Sequence, residues 1–411
     1  MTQSEETFDV ILIGGGLAGL SLAILCARAG WRTLVCEQKA YPFHRVCGEY
    51  VAMESWDFLE GLGLDLASQH LPQIRRLLVT TPSQSLSAPL QPSNSHPNIH
   101  RRKHGVADTS RIGGGFGISR YALDAQLADR ARVLGVTLCE NTRVKQVTET
   151  EHGVEVHTHQ GVFRAPLAGG AFGKWSNLDR ALRPQQLPAQ TGAQTYVGIK
   201  YHLRTRFPRD LIALHNFSGG YCGISAIEQE ETVCCCYLVS QERFSAAGSV
   251  ERLQEETLSQ NPYLRSIFEH SEPCWAAPLA IAQVYFSPRQ WPSEHRPKDC
   301  TRLFMLGDAA GMIPPLSGNG MSMALRSSAL LFEVWQQYFT EHTPLPMLQR
   351  QYRQQWQQAF GLRLRTGSLL QQTFGHLGPI NALLYGLRPF PGLAQALIAR
   401  THGTAFSVPS C

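Results

Sequence analysis

The chain has 411 residues, 43% of them apolar and 17% charged, a composition that excludes disordered, collagen-like and coiled-coil proteins. A length beyond roughly 250 to 300 residues predicts two closely joined domains. The 11 cysteines, an odd number that includes the run 234–236, exclude a disulfide scaffold and favour a reducing compartment. The net charge of +5 is spread along the chain, and its densest cluster, residues 101–104, has no accompanying nucleic-acid-binding motif.

The sequence shows no sign of secretion or of membrane insertion. Its first residues lack the basic start and apolar stretch of a signal peptide. No window of about 18 residues is free of both charges and helix breakers. We therefore expect a cytoplasmic protein without a spanning helix.

The first forty residues predict one βαβ unit. Residues 8–13 form a short apolar run that is typical of a buried parallel strand. Residues 17–29, rich in Ala and Leu, predict a helix that ends before Gly30. Residues 32–36 predict a second strand, and Glu37 ends it.

Three glycines follow the first strand at once. Gly14 permits a tight turn, Gly16 lets a pyrophosphate approach the backbone, and Gly19 lets the helix pack on the strand. The helix N-terminus adds partial positive charge, and Glu37 is placed where a carboxylate can bind ribose hydroxyls. The pattern predicts a dinucleotide site but does not distinguish NAD from FAD.

The remaining segments are interpreted from their periodicity and composition. Residues 80–111, rich in Ser, Pro, Asn and His, predict an irregular excursion. Further along the chain the patterns predict a helix at 121–134, a strand at 136–139, a meander over 144–167, alternating strands over 176–300, a buried strand at 302–306 and helices over 318–339 and 344–400. The alternating strands predict an antiparallel sheet with one face that is solvated or covers a ligand.

A second group of motifs follows the strand at 302–306. Asp308 stands at the end of this strand, and a glycine-rich segment, Gly318 to Met321, opens the next helix. A dinucleotide that is bound at both ends requires an acid and a second set of backbone N–H groups far along the chain from the first glycine turn. The two groups of motifs together therefore predict a single long cofactor.

At these motifs the chain resembles the FAD-dependent oxidoreductases related to aromatic hydroxylases of the p-hydroxybenzoate hydroxylase type, geranylgeranyl reductases and flavin halogenases. In that superfamily the acid of the segment that matches 307–310 hydrogen-bonds the ribityl chain of FAD. Residues 44–49 match a segment with a basic residue near the FAD phosphates and, in the reductases, a Cys-Gly pair beside the isoalloxazine. Residues 120–127 match an Arg-x-x-Leu-Asp-x-x-Leu helix whose arginine reaches the cofactor.

The resemblance implies an α/β fold, with a Rossmann-type FAD-binding domain, an inserted antiparallel β-sheet substrate domain and C-terminal helices. We expect the FAD-binding domain at 1–175 and 301–342, the substrate domain at 176–300 and the helical region at 343–411. FAD-binding residues are expected at Gly14, Gly16, Leu17, Ala18, Gly19, Glu37, Gln38, Arg45, Val46, Cys47, Arg120, Val144, Gly307, Asp308, Gly318, Asn319, Gly320 and Met321.

Three departures from the superfamily's patterns narrow the expected chemistry. The hydroxylases have an Asp-Gly motif thought to help with NAD(P)H, and residues 169–176 here contain no aspartate. The seven tryptophans never stand two apart, so the Trp-x-Trp-x-Ile-Pro motif of halogenases is missing, which disfavours a halogenase. Of the reductases' Tyr-x-Trp-x-Phe-Pro element only Tyr221 is present, so a polyprenyl substrate is not implied.

We favour reductase-like hydride transfer to a lipophilic or polyketide-like small molecule, with Cys47 and Tyr221 as candidate catalytic residues. The alternative is a flavin monooxygenase that hydroxylates an aromatic or polyketide substrate with O₂. NAD(P)H is a candidate electron donor. Packing alone is a competing interpretation of Cys47, because cysteine is among the most buried residue types.

Alternatives outside catalysis are a non-catalytic flavin-binding protein and a membrane-peripheral protein that uses the apolar residues 367–400. A substrate region of more than a hundred residues favours an enzyme, and helix packing is the simpler interpretation of 367–400. His152, His157 and His159 stand at short spacing in the meander, and strand alternation would place His157 and His159 on one face. We expect no metal there, because these two have no apparent third ligand and flavin chemistry needs no metal. We expect no nucleic-acid partner, and the sequence leaves the oligomeric state open.

Overall fold

A computed structural model describes residues 7–90, 113–173, 177–182, 194–285, 302–312 and 318–410. The basic cluster at 101–104, the expected domain boundaries at 175/176 and 300/301, and residues 314–317 lie outside these ranges. The division into domains stays a prediction, whereas the α/β fold class is confirmed by the elements below.

The strands fall into a parallel sheet, a large sheet and two small three-stranded sheets. Their bounds are β1 Val10–Ile13, β2 Thr33–Cys36, β3 Tyr50–Ala52, β4 Gln73–Ile74, β5 Arg76–Thr80, β6 Ser85–Pro89, β7 Gly115–Gly117, β8 Thr137–Cys139, β9 Gln146–Glu149, β10 Val154–His157, β11 Val162–Ala165, β12 Leu167–Gly170, β13 Tyr196–Arg204, β14 Leu211–Phe217, β15 Gly220–Ala226, β16 Thr232–Ser240, β17 Glu272–Pro273, β18 Leu279–Val284 and β19 Leu303–Met305.

The structure has helices in the segments predicted at 17–29, 121–134, 318–339 and 344–400, and it adds short helices within 56–62, 177–182 and 241–269 that the sequence patterns do not predict. Their bounds are α1 Leu17–Arg28, α2 Trp56–Leu62, α3 Arg120–Val133, α4 Asn177–Leu182, α5 Gln241–Ala247, α6 Val250–Glu256, α7 Pro262–Glu269, α8 Gly320–Glu341, α9 Leu345–Gln371, α10 Leu377–Leu387 and α11 Pro391–Ala399. Among the described helices, none combines the length and the apolar character needed to cross a bilayer.

The parallel sheet has the strand order β19-β12-β1-β2-β8, and every pairing in it is parallel. Side chains of β1 are buried on both faces, as the apolar run predicts: Leu12 packs with the helices, and Ile11 packs with the meander β9–β11. The last strand comes from beyond residue 300, as expected. The carboxyl ends of β1, β2 and β19 therefore meet at one edge, where ligands bind in open α/β sheets.

The large sheet has eight strands, in the order β17-β13-β16-β15-β14-β5-β6, with β18 also paired to β13. On β13 the apolar residues Val197, Ile199 and Leu203 face a core with α5, α6 and α7. The alternate residues include Lys200 and His202, and both are buried rather than solvated. Because a charged side chain is almost never fully buried without a partner, this second face must cover something.

One expectation is wrong. Residues 85–89, inside the stretch predicted to be irregular, form β6, which pairs antiparallel with β5, and β5 in turn pairs parallel with β14. The pattern Ser-Leu-Ser-Ala-Pro alternates outward and inward side chains, with Ala88 buried. Such a strand tolerates Pro89 because it lies at the edge of the sheet. The high content of Ser and Pro concealed this short alternation.

Candidate active site

The glycine turn after β1 has the geometry that its sequence predicts. Gly14 has φ +106°, and a Cβ added there would lie 2.5 Å from the carbonyl oxygen of Ala171. A Cβ on Gly19 would collide with the carbonyl oxygen of Gly14, so only glycine lets α1 pack against the turn. At Gly16 an added Cβ would approach only a guanidinium nitrogen of Arg120, at 3.7 Å, which leaves the space beside the turn open.

Glu37, which directly follows β2, stabilises this turn through hydrogen bonds. Its Oε2 accepts a hydrogen bond from the backbone N–H of Gly15 at 2.9 Å and from Arg45 Nη2 at 3.1 Å. Its Oε1 accepts a bond from the backbone N–H of Lys39 at 3.1 Å. The carboxylate is buried but stands at the edge of the open space. Binding of a ribose by Glu37 stays a prediction.

Two guanidinium groups share the carboxylate of Asp124. Arg45 Nε donates to Asp124 Oδ2 at 3.0 Å, and Arg120 Nε donates to Oδ1 at 2.7 Å. Burial lowers the pKa of Arg120, but the adjacent Asp124 outweighs burial, and the net pKa is raised. Arg120 therefore keeps its positive charge beside the glycine turn.

Two helices begin at the same space, and no side chain among the described residues caps either start. The N-cap of α1 is Gly16 and that of α8 is Asn319; neither makes a side-chain capping bond, and neither helix has an acid in its first turn. A helix N-terminus without a cap attracts anions and carbonyl oxygens. Asp308 lies next to the start of α8, in a short 3₁₀ turn after β19.

These groups surround the main cavity, which has a volume of about 580 Å³ and is in the size range of cofactor sites. The expected residues that line it are Gly14, Gly16, Leu17, Ala18, Glu37, Gln38, Arg45, Val46, Cys47, Arg120, Val144, Tyr221, Gly307, Asp308, Gly318, Gly320 and Met321. Gly19 and Asn319 do not line it: Gly19 packs on the turn, and Asn319 donates to the carbonyl of Thr401. Acids, guanidiniums and uncapped helix starts along one cavity fit a dinucleotide such as FAD.

The large sheet closes the main cavity on the side opposite the glycine turn. Tyr221, Gly223 and Cys236 of this sheet line the same cavity as Cys47. The ring of Tyr221 packs edge-on against Phe374, with 5.6 Å between centroids. The face of the sheet that the sequence left open as solvated or ligand-covering thus lines a cavity.

The sequence patterns did not predict a buried ionic cluster that lies where the large sheet meets the segment that contains Cys47. Glu49 accepts hydrogen bonds from Lys200 Nζ and from His202 Nε2, the latter at 2.6 Å. Burial alone raises the pKa of Glu49, but the bond from His202 and the charge of Lys200 outweigh it and hold the pKa below its ordinary value. Burial, together with His202 and Lys200, lowers the pKa of nearby His44 to about 4. The only signal in the sequence was the alternation of β13, which sets Lys200 and His202 opposite its apolar residues.

An apolar chamber of about 110 Å³ adjoins the main cavity. Its walls come from β5, β6 and β14 on one side and from α9, α10 and α11 on the other; they are Leu77, Val79, Leu86, Ala88, Leu90, Leu370, Phe374, Ile380, Leu383, Leu384, Leu387, Ala394, Leu397, Ile398, Thr401 and His402. Tyr50, Ile212, Leu214 and Gly318 line both spaces. Tyr50 is buried, and its hydroxyl lies 3.3 Å from His402 Nε2. The chamber is therefore an apolar extension of the main cavity.

Comparison with protein families agrees with this site. A family model described as an FAD binding domain matches residues 7–274, more than half of the chain. The chain therefore belongs to this FAD-binding family, and the expected cofactor, FAD, is confirmed. It is an enzyme, an FAD-dependent oxidoreductase of the class that includes monooxygenases.

Two curated relatives extend over most of the chain. Conditioned medium factor receptor 1 of Dictyostelium discoideum is 25% identical over 378 residues, or 87% of this chain and 69% of the relative. Squalene epoxidase of Candida albicans is 22% identical over 376 residues, or 82% of this chain and 73% of the relative.

Two solved structures share the fold. The flavin-dependent halogenase CmlS matches with a TM-score of 0.70 and 17% identity, over 88% of this chain. The chain spans 64% of the length of that halogenase. A geranylgeranyl bacteriochlorophyll reductase-like protein of Thermoplasma acidophilum matches with a TM-score of 0.69 and 17% identity, over 98% of this chain and 94% of its own.

Proposed function

We propose that this FAD-dependent oxidoreductase reduces a polarised double bond in a lipophilic small molecule. FAD would be held by the glycine turn at Gly14, by Glu37 and Arg45, and by Asp308 with the start of α8. The apolar part of the substrate would lie in the chamber, and its reacting carbons would lie in the main cavity.

The observation on which this proposal rests is the apolar chamber beside the cofactor residues. Its lining is almost entirely aliphatic and aromatic, from Leu77 and Leu86 of the sheet to Leu384 and Leu397 of the helices. Burial of apolar surface contributes roughly 25 cal/mol per Å², so such a lining favours a hydrocarbon over a polar ring. Tyr50 and Gly318, which line both spaces, allow one molecule to extend from one to the other.

Cys47 and Tyr221 support reduction because both line the main cavity, and a thiol and a phenol hydroxyl are both hydrogen-bond donors. Reduction of a double bond adds a hydride to one carbon and a proton to its neighbour. When bound, FAD supplies hydride chemistry after it has itself been reduced, and NAD(P)H is the proposed donor of those electrons. Either the thiol of Cys47 or the hydroxyl of Tyr221 would supply the proton at the second carbon.

Monooxygenation is the second candidate, and the relatives favour it. The squalene epoxidase, by its name, acts on a hydrocarbon, and other relatives are named 6-hydroxynicotinate 3-monooxygenase and kynurenine 3-monooxygenase. An apolar chamber would exclude water from this reaction as well as from reduction. Both candidate functions thus have the same substrate class, and they differ in the reaction catalysed.

Product mass separates the two reactions. The purified yellow enzyme would be incubated with NADPH and a panel of lipophilic alkenes and enones, with oxygen and without it. We expect a gain of two hydrogens that does not require oxygen. A gain of one oxygen atom that requires O₂ would overturn reduction and establish monooxygenation. Measuring how much substrate the Cys47→Ala and Tyr221→Phe variants convert would identify which residue donates the proton.

A further inference from the structure

Glu49 has an unusual backbone for its residue type. It has φ +56° in the left-handed region, although it is not a glycine, and its side chain is fully buried. A left-handed conformation is unfavourable for an L-residue, and asparagine or glycine would largely avoid this cost. The structure must therefore compensate through the side chain of Glu49.

That side chain connects three separate parts of the protein. Its Oε1 accepts bonds from Lys200 Nζ on β13 and from the backbone N–H of Arg120, at 2.7 Å, where α3 begins. Its Oε2 accepts from His202 Nε2 at 2.6 Å if that nitrogen is protonated. The carboxylate thus joins the large sheet, α3 and the segment with Cys47.

The same strands also hold the main chain of that segment. Lys200 Nζ donates a second hydrogen bond to the carbonyl oxygen of Arg45 at 3.1 Å. The thiol of Cys234 on β16 donates to the carbonyl oxygen of Cys47 at 3.2 Å. Since Arg45 and Cys47 both line the main cavity, Lys200 and Glu49 fix one wall of the space that holds FAD.

A metal ion is a poor alternative occupant of this cluster. Ligand atoms of His44, Glu49 and His202 lie within 4.8 Å of one another. However, the Lys200 ammonium contacts the same carboxylate, and its positive charge would repel a divalent cation bound there, even at an effective dielectric constant of about 20. The counter-charge of Glu49 is therefore Lys200.

We propose that Glu49 is a positioning residue that fixes the Arg45–Cys47 wall against the large sheet and, by neutralising Lys200, sets the reduction potential of the bound FAD. A positive charge left beside the cofactor would stabilise the reduced flavin, which gains negative charge. A negative charge left in the same place would have the opposite effect. Because Glu49 would act on the bound FAD itself, its role does not depend on which reaction the enzyme catalyses.

The test is the midpoint potential of bound FAD, measured against a reference dye. We expect Glu49→Gln, which leaves Lys200 without a counter-charge, to shift the potential upward. Lys200→Met, which leaves Glu49 without one, should shift it downward. The double variant Glu49→Gln/Lys200→Met should return it towards the wild-type value. Opposite signs in the two single variants are a result that a merely structural role would not produce.

Glu54→Gln is the matched control, because Glu54 is another buried glutamate, paired with Arg363 at 2.7 Å, and it does not line the main cavity. The midpoint potential of FAD bound to Glu54→Gln should equal that of FAD bound to the wild type. If Glu49→Gln fails to fold, the downward shift in Lys200→Met and its cancellation in the double variant still test the proposal. Unchanged potentials in FAD-loaded Glu49→Gln or Lys200→Met, or equal shifts in Glu54→Gln, would overturn it.

Discussion

The main cavity and the apolar chamber meet at Tyr50 and Gly318, yet their walls are built on different physical principles. Around the main cavity, directed groups converge: uncapped N–H groups at two helix starts, the carboxylates of Glu37 and Asp308, and the guanidinium of Arg45. Around the chamber the groups are hydrocarbon, and binding depends on the area removed from water. Removing one directed group from the main cavity should therefore change binding sharply. A change in the chamber lining should alter binding in proportion to the apolar area lost.

The largest effect is expected from Gly19→Val, which disrupts the packing of α1 against the glycine turn beside the main cavity. The new Cβ would overlap the carbonyl oxygen of Gly14, so α1 and the turn cannot both keep their positions. Overpacking of this kind costs about 1 to 3 kcal/mol or more, and FAD binding should be lost with it. Denaturant unfolding and flavin absorbance measure the two losses.

Gly361→Val is the control for this variant. An added Cβ at Gly361, on α9, would contact nothing within 4 Å, and the residue has no left-handed φ. Its stability should change only by the difference in helix propensity, a slight gain because glycine is the poorer helix former, and it should keep its flavin. A Gly19→Val protein with wild-type stability and a full complement of FAD would contradict the geometry given for the turn.

A smaller effect is expected from Asp308→Ala, which removes one directed group without disturbing the fold. A hydrogen bond to a charged group contributes about 1.5 to 3 kcal/mol, so FAD should bind roughly ten to a hundred times more weakly. Thermal unfolding of the apoprotein should be unchanged. Asp129→Ala, at an exposed position on α3, serves as the control. Unaltered flavin occupancy in Asp308→Ala would show that its assignment to FAD binding is wrong.

The two regions also differ in how far the sequence predicts them. The groups of the main cavity lie within short motifs, so Gly14, Glu37 and Asp308 could be named from spacing and resemblance. The chamber has no such motif, because its walls come from strands near residue 80 and helices near residue 390. Glu49 was within a matched segment but was not selected, since only the fold brings Lys200 to it.

Ala394→Trp tests the chamber by filling it. Ala394 is a buried residue of α11 that lines the chamber. An indole there should weaken binding of a lipophilic ligand about tenfold, the value expected when roughly 50 to 60 Å² of apolar contact is lost. FAD affinity should not change. Leu393→Trp, at the preceding exposed residue, should alter neither affinity, and equal effects of the two variants would contradict this position for the ligand.

The smallest effect concerns the sheet behind the chamber. Burial lowers the pKa of His215, on β14, to about 4, against about 6.5 in an unfolded chain. The unfolded state therefore binds the proton first, and stability falls as the pH drops from 6.5 towards 4. Between pH 7 and pH 6 the loss should be about 0.7 kcal/mol.

Urea unfolding of the wild type and of His215→Gln at pH 7, 6 and 5 isolates this contribution. Gln can still bond Thr80 Oγ1, which lies 2.8 Å from His215 Nδ1. The wild type should lose more stability than the variant as the pH falls. Identical pH dependence in the two proteins would show that His215 does not remain neutral in the folded state.

The most direct test of a substrate site that continues into the apolar chamber is a titration of the FAD-loaded enzyme with straight-chain primary alcohols, from hexanol to tetradecanol. Flavin fluorescence would report each dissociation constant. Affinity should rise about fourfold with each added methylene until the chamber is full, since each buried CH₂ contributes about 0.8 kcal/mol. In Ala394→Trp the rise should stop at a shorter chain. Affinity that does not depend on chain length, or that depends on it equally in both proteins, would contradict the account.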